Sequence, residues 1–217
     1  MSNPTLTLHS YRRCPFAMRV RMTLEEKQIE YTVIEENLSE FSKELLEAHP
    51  QARVPLLIAH WAPSESSPHS MAIYESSIIT EFVDETFTDK PLMPKDAGDR
   101  AKVRLLTYWC DQIFKPDLDL YKYELKNLTS EEFAQLRVRL NSHLRKIETE
   151  LSESQGNFLI GQSITLADIH LFPLFRQFKR ATPVFSDLSH YSQLNHWLES
   201  ILARPSFERV MNKNLKV

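Results

Sequence analysis

Short apolar runs of strand length alternate with stretches of helical spacing over the first 87 residues. Leu6-Thr7-Leu8 predicts a strand. Pro15 to Gln28 predicts a helix, with Pro15 in its first turn, where a missing N–H costs nothing. Tyr31-Thr32-Val33-Ile34, β-branched and aromatic, predicts a second strand. A short helix follows over Ser39 to Ala48 and closes at His49-Pro50. Pro55 to Ala59 and Met71 to Tyr74 predict two further strands, separated by a loop at 62–70 rich in serine and proline. Ser76 to about Phe87 predicts another helix.

The resulting order is β-α-β, then α, then β-β-α. The first unit can set two parallel strands side by side, and the last two strands can pair antiparallel. That is the order of a thioredoxin-like domain, expected over residues 1–87. Residues 88–97 are polar, carry Pro91 and Pro94, and read as a linker. From residue 98 to 217 the pattern is helical. Phe133, Leu136, Leu140, Leu144, Ile147 and Leu151 are spaced 3, 4, 4, 3 and 4, one face of a long amphipathic helix. Leu194, Trp197, Leu198, Ile201 and Leu202 repeat the spacing. An all-helical bundle is expected there, giving an α/β domain followed by an all-α domain.

Charge and composition remove several function classes. Basic and acidic residues number 26 and 29, so there is no electrostatic case for nucleic acid. The three glycines, Gly98, Gly156 and Gly161, cannot write a P-loop, a G-x-G-x-x-G turn or a G-x-S-x-G elbow. Cys14 and Cys110 make neither a disulfide framework nor a zinc site, and the histidines show no H-E-x-x-H. No metal is expected. Residues 1–13 lack the apolar run of a signal peptide, and no apolar stretch is long enough to span a membrane. A soluble, cytoplasmic protein in a reducing compartment is the expectation.

Cys14 is the leading chemical candidate. It falls between a strand and a helix, where unpaired N–H groups and the helix dipole favour an anion such as a thiolate. Arg12, Arg13 and Arg19 add positive charge nearby. The competing reading is a buried cysteine that only packs. Position 17 is alanine, so no resolving thiol lies in the motif, and a one-cysteine site must borrow a second thiol. Cys110, on a predicted helix, reads as packing.

Val54-Pro55 opens the third strand. A cis bond there would present the backbone of Val54 to a ligand, whereas a trans proline at a strand start is also tolerated. Ser76 is placed either to cap its helix or to meet a ligand carboxylate, and Glu75 to meet an ammonium. Thr165 to Asp168 is a capping-box variant, and Pro173 is expected to kink the helix that it begins. His170, His190 and His196 show no ligand spacing. Tyr108, Trp109, Phe114, Tyr121 and Tyr123 read as core or as the lining of an apolar pocket.

Four segments in order carry a resemblance: Ser10-Tyr11-Arg12-Arg13-Cys14-Pro15-Phe16-Ala17, Arg53-Val54-Pro55, Tyr74 to Ile79, and Gly161 to Asp168. Together they resemble the cytosolic glutathione transferases over nearly the whole chain. Cys-Pro-Phe-Ala is similar to the cysteine-type members, such as the omega class and the dehydroascorbate reductases. The resemblance implies glutathione as co-substrate, with Cys14 as nucleophile and Phe16, Lys43, Val54, Pro55, Glu75 and Ser76 around it. Val54 would bond the glutathione backbone after a cis Pro55, and Glu75 and Ser76 would hold the γ-glutamyl end. Lys43 is the candidate for the glycyl carboxylate.

The implied activity is thiol transfer, or reduction of small oxidised substrates, through a mixed disulfide. The alternatives are conjugation of glutathione to electrophiles, or a non-enzymatic binding protein of the same fold, like the stringent starvation proteins. A homodimer acting on a small second substrate is also implied. The chain departs from the family pattern at Gln28 and Ala52, where members often carry glycine, so adjusted backbone is expected at both.

Overall fold

The computed structural model describes residues 3–62, 70–154, 156–181, 188 and 190–212. All but the ends of the expected loop at 62–70 lies outside the described residues. The chain forms two compact units: Met1–Leu92 with the segment from Pro205 onward, and Met93–Arg204.

The first unit runs β1 (Thr5–Ser10), α1 (Pro15–Lys27), β2 (Thr32–Glu35), α2 (Lys43–Ala48), β3 (Leu56–His60), β4 (Ser70–Tyr74) and α3 (Ser76–Thr86). The sheet order is β2-β1-β3-β4. β1 and β2 are parallel, and β3 is antiparallel to both of its neighbours. Successive side chains of a strand point to opposite faces, so the apolar run of β3 serves two cores. Leu57 and Ala59 join Leu6, Leu8 and Ile73 against Val20, Leu24, Ile79 and Val83 of α1 and α3. Leu56 and Ile58 pack on the other face against Leu45 of α2. Each fully buried leucine contributes about 1.5–3 kcal/mol.

The second expected helix begins four residues late. The Asn37 side chain takes both the backbone N–H and the hydroxyl of Ser39, at 3.2 and 2.8 Å, and turns the chain before a helix can start. Ser42 then caps α2, accepting from the Leu45 N–H at 3.3 Å. Glu36, buried at the end of β2, holds that cap: its carboxylate receives the Ser42 N–H at 2.8 Å and lies 2.6 Å from His9 Nδ1. Burial works against its ionisation, but the bonds to Ser42 and His9 outweigh it and keep the carboxyl below its ordinary range.

The expected domain boundaries shift at both ends. Lys27, buried at the end of α1, pairs with Asp84 at 2.7 Å and donates to the carbonyls of Asp89 and Lys90. The first residues of the expected linker are thereby tied to the first unit. The last helix, α9 (Pro205–Met211), also belongs to that unit and not to the bundle. Glu25 and Glu26 on the outer face of α1 receive Arg209 and Ser206, and Arg12 donates to the Met211 carbonyl at 3.2 Å.

The second unit is helical among its described residues. α4 (Ala97–Trp109), α5 (Lys115–Asp119), α6 (Ser130–Glu153), α7 (Leu166–Arg180) and α8 (Ser192–Leu202) make it up, with π-helical turns at Cys110–Phe114 and Leu120–Glu124. The aromatic stretch divides. Phe114 and Tyr121 are enclosed, with Phe114 stacked on Phe175 at 4.4 Å, whereas Tyr108 and Tyr123 are exposed. Pro173 sits inside α7 without ending it. No helix among the described residues is long and apolar enough to cross a membrane.

Asp168 organises this unit. It is fully buried and accepts from the Leu159 and Thr165 N–H groups, the Thr165 hydroxyl and the Trp197 indole, all at 2.8 or 2.9 Å. Burial pushes its pKa up, and the four donors pull it back. Removing the carboxylate strands several buried donors, each costing about 1–3 kcal/mol. Asp168→Ala is therefore expected to lose at least about 3 kcal/mol in urea denaturation. A loss below about 1 kcal/mol would show that water replaces the carboxylate.

Candidate active site

The pairing of β1, β3 and β4 brings three separate segments to one end of the sheet. His9 lies opposite Leu56, and Leu56 opposite Tyr74. β1 and β4 therefore end where β3 begins. The turn to Cys14, the Val54-Pro55 bond and the step to Ser76 all leave from that end.

Cys14 is the N-cap residue of α1, in extended backbone, with Pro15 next. Its N–H donates to the Tyr11 carbonyl at 2.9 Å, which closes the turn out of β1. The sulfur is half-buried, makes no disulfide, and reaches the Val54 carbonyl at 3.8 Å. It stands at the first turn of a helix, whose amides cannot all be satisfied internally. The Val54-Pro55 bond is cis.

Glu75 and Ser76 stand at the start of α3. Glu75 is exposed and has φ 69°, a conformation that non-glycine residues rarely hold and that costs about 1–3 kcal/mol. Ser76 is buried, and its hydroxyl oxygen accepts from Arg19 Nη1 at 3.3 Å. Phe16 sits one turn nearer Cys14, with its ring centroid 4.8 Å from the Arg19 guanidinium carbon. Cys14, Phe16, Val54, Pro55, Glu75 and Ser76 thus share one end of the sheet. Lys43 begins α2, is exposed, pairs with Glu47 at 3.5 Å, and lines an open hollow of about 560 Å³ with Ile58, His60 and Ala72. Neither the contact of Cys14 with Val54 nor the bond of Arg19 to Ser76 involves Lys43.

The arginines near Cys14 in sequence take separate places. Arg12 caps α9, Arg13 is exposed near the Tyr11 ring at 6.0 Å, and Arg19 is enclosed between Phe16 and Ser76. In the sequence Arg19 reads only as nearby charge. An arginine within the buried stretch Ala17 to Leu24 was the signal for a partner inside the fold. Cys110 is fully buried in the second unit. A hollow of about 890 Å³ opens between Asn3, Lys27, Tyr31 and Phe87. Its cation, Lys27, is already committed to Asp84.

Gln28 and Ala52 both hold positive φ, at 58° and 48°, although neither is glycine. The connections into β2 and toward Val54 require the left-handed turn, and the packed elements on either side impose it.

Residues 13–86 match the glutathione S-transferase N-terminal domain, and residues 96–205 match its C-terminal domain. The chain belongs to the glutathione S-transferase family. It is 28% identical to a probable maleylacetoacetate isomerase of Caenorhabditis elegans, over 95% of this chain and 93% of that one. It is equally 28% identical to glutathione S-transferase omega-1 of Mus musculus, over 92% and 78%. A maleylacetoacetate isomerase from Anaeromyxobacter dehalogenans 2CP-1, solved with glutathione in its active site, superposes with TM-score 0.74 at 25% identity, covering 99% of both chains.

His49 lies between α2 and Val54. It closes α2, its Nδ1 accepts from the Gln51 N–H at 3.1 Å, and its ring packs 4.8 Å from that of Tyr74. Burial lowers its pKa from 6.5 and Arg53 lowers it further, against an opposing pull from Glu75. A histidine held neutral in the fold leaves the unfolded chain to take up the proton first. Stability is therefore lost as pH falls below about 6.5 toward the lower folded value. The asparagine side chain in His49→Asn keeps an acceptor and cannot titrate. Chemical denaturation at about pH 7.5 and about pH 5.5 is expected to show a smaller loss for His49→Asn than for the wild type. Parallel losses would remove His49 from the pH response.

Proposed function

We propose that this family member is of the cysteine type and transfers thiols through a mixed disulfide between Cys14 and glutathione. The observation that carries the reading is the placement of Cys14: a half-buried sulfur at the first turn of α1, facing the Val54 carbonyl that precedes a cis proline. A helix start favours the thiolate over the thiol. The groups around it suit glutathione. Val54 offers a peptide edge to its backbone, Ser76 a buried hydroxyl to the γ-glutamyl carboxylate, and Glu75 an exposed carboxylate to the ammonium. Lys43 is the proposed partner of the glycyl carboxylate.

The Cys14 thiolate attacks the glutathione sulfur of a mixed disulfide, R–S–S–G. The Cys14–glutathione disulfide forms, and R–S⁻ leaves and takes a proton. A second glutathione thiolate then attacks the bound glutathione, releases glutathione disulfide and returns Cys14 as thiolate. The net exchange consumes one mixed disulfide and one glutathione, and yields one thiol and one glutathione disulfide. A soluble cytoplasmic homodimer is the proposed setting, and the exposed apolar Met71, Tyr74 and Ile78 of β4 and α3 suit self-association.

A second reading rests on the equal identity to the isomerase of Caenorhabditis elegans. There the sulfur of glutathione is itself the nucleophile, as in conjugation or isomerisation, and Cys14 only steadies it. Cys14→Ser separates the two. A serine hydroxyl can donate to a glutathione thiolate but cannot form a disulfide. The variant is expected to lose thioltransferase and dehydroascorbate reductase activity by at least about 100-fold, and to keep or gain conjugation of an aromatic halide. Full thioltransferase activity in Cys14→Ser would refute the cysteine-type assignment.

A further inference from the structure

An arginine enclosed in a domain of this size needs a reason. Burying a charge is costly unless it is hydrogen-bonded, and arginine is rarely fully buried without partners. Arg19 is wholly inaccessible to solvent. It rises from the middle of α1, with its guanidinium near the Phe16 ring and its Nη1 donating to Ser76 Oγ at 3.3 Å. One cation therefore joins the two helix starts at the reactive end of the sheet, that of α1 through Phe16 and that of α3 through Ser76.

The direction of the Ser76 bond has a chemical consequence. A hydroxyl carries one hydrogen to donate and two lone pairs to accept. Guanidinium cannot accept, so Ser76 must spend a lone pair on Arg19 and keep its hydrogen for another partner. Donation from a cation also polarises the O–H and strengthens it as a donor. Ser76 thereby presents a hydrogen to whatever occupies the start of α3, where the helix dipole already favours negative charge. An ammonium brought to the same point could use only the one remaining lone pair and would face the positive end of the helix dipole.

We propose that Arg19 is a positioning residue which fixes the Ser76 hydroxyl as a donor and so selects the carboxylate of the γ-glutamyl group over other ligand ends. This rests on the reading of the site as a glutathione site. Arg19 touches no substrate. It acts through Ser76, and its contribution should appear only with ligands that carry the carboxylate. A purely structural arginine would weaken all ligands alike.

The test is calorimetry on the full chain with two ligands. One is S-methylglutathione, which cannot form a disulfide. The other is the same molecule with a 4-aminobutanoyl group in place of γ-glutamyl, which removes only the α-carboxylate. Arg19→Gln is expected to weaken S-methylglutathione about 10-fold and to leave the decarboxylated analogue unchanged, because the lost bond is made to the carboxylate alone. Arg19→Lys retains a cationic donor and should recover part of the preference. It also serves where Arg19→Gln does not fold, with the same comparison of the two ligands. Equal weakening of both ligands, or of neither, would overturn the proposal while leaving the glutathione site intact. A wild-type protein that binds neither ligand would instead overturn the glutathione reading, and this proposal with it.

Discussion

The candidate active end of this protein depends on the register of one central strand. β3 is paired on both edges, with Leu56 between His9 and Tyr74. Because it runs antiparallel to β1 and β4, its beginning lies where they end. A shift of one residue would turn Leu57 and Ala59 out of the core shared with α1 and α3. The same register that buries these side chains sets the Val54 carbonyl beside the Cys14 sulfur. Packing and chemistry are therefore fixed by one pairing.

Around that strand the structure spends polar groups on position. Glu36 is enclosed to hold the cap of α2. His49 then turns the chain toward Val54, and Arg19 links the start of α3 to that of α1. Four non-glycine residues in the first unit's connections, Gln28, Ala52, Glu75 and Lys90, hold positive φ. Unfavourable backbone of this kind persists only where the surroundings over-determine it. Here the surroundings are the sheet and the helices packed on it.

Much of this was legible in the sequence. β-branched and apolar runs of strand length gave all four strands, and the spacing from Phe133 to Leu151 gave the long helix α6. Cys14 could be placed at a helix start because Pro15 follows it. What escaped was set by contacts distant in sequence. The pairing of α9 with α1 joins residues about 180 positions apart, such as Ser206 and Glu26. No local period reports such a contact. Arg19 was visible as a charge but not as a buried one, since its partner Ser76 lies 57 residues away. At Gln28 and Ala52 the fold imposes positive φ on residues other than glycine, against local preference.

The central claim is that the sulfur at the start of α1 is the one that accepts glutathione. Peptide mapping by mass spectrometry after incubation with glutathione disulfide tests it directly, because both cysteines are in the same molecule. The account predicts one glutathione adduct, on the peptide containing Cys14, with Cys110 unmodified in its buried site. An adduct on Cys110 with Cys14 left as thiol would contradict it.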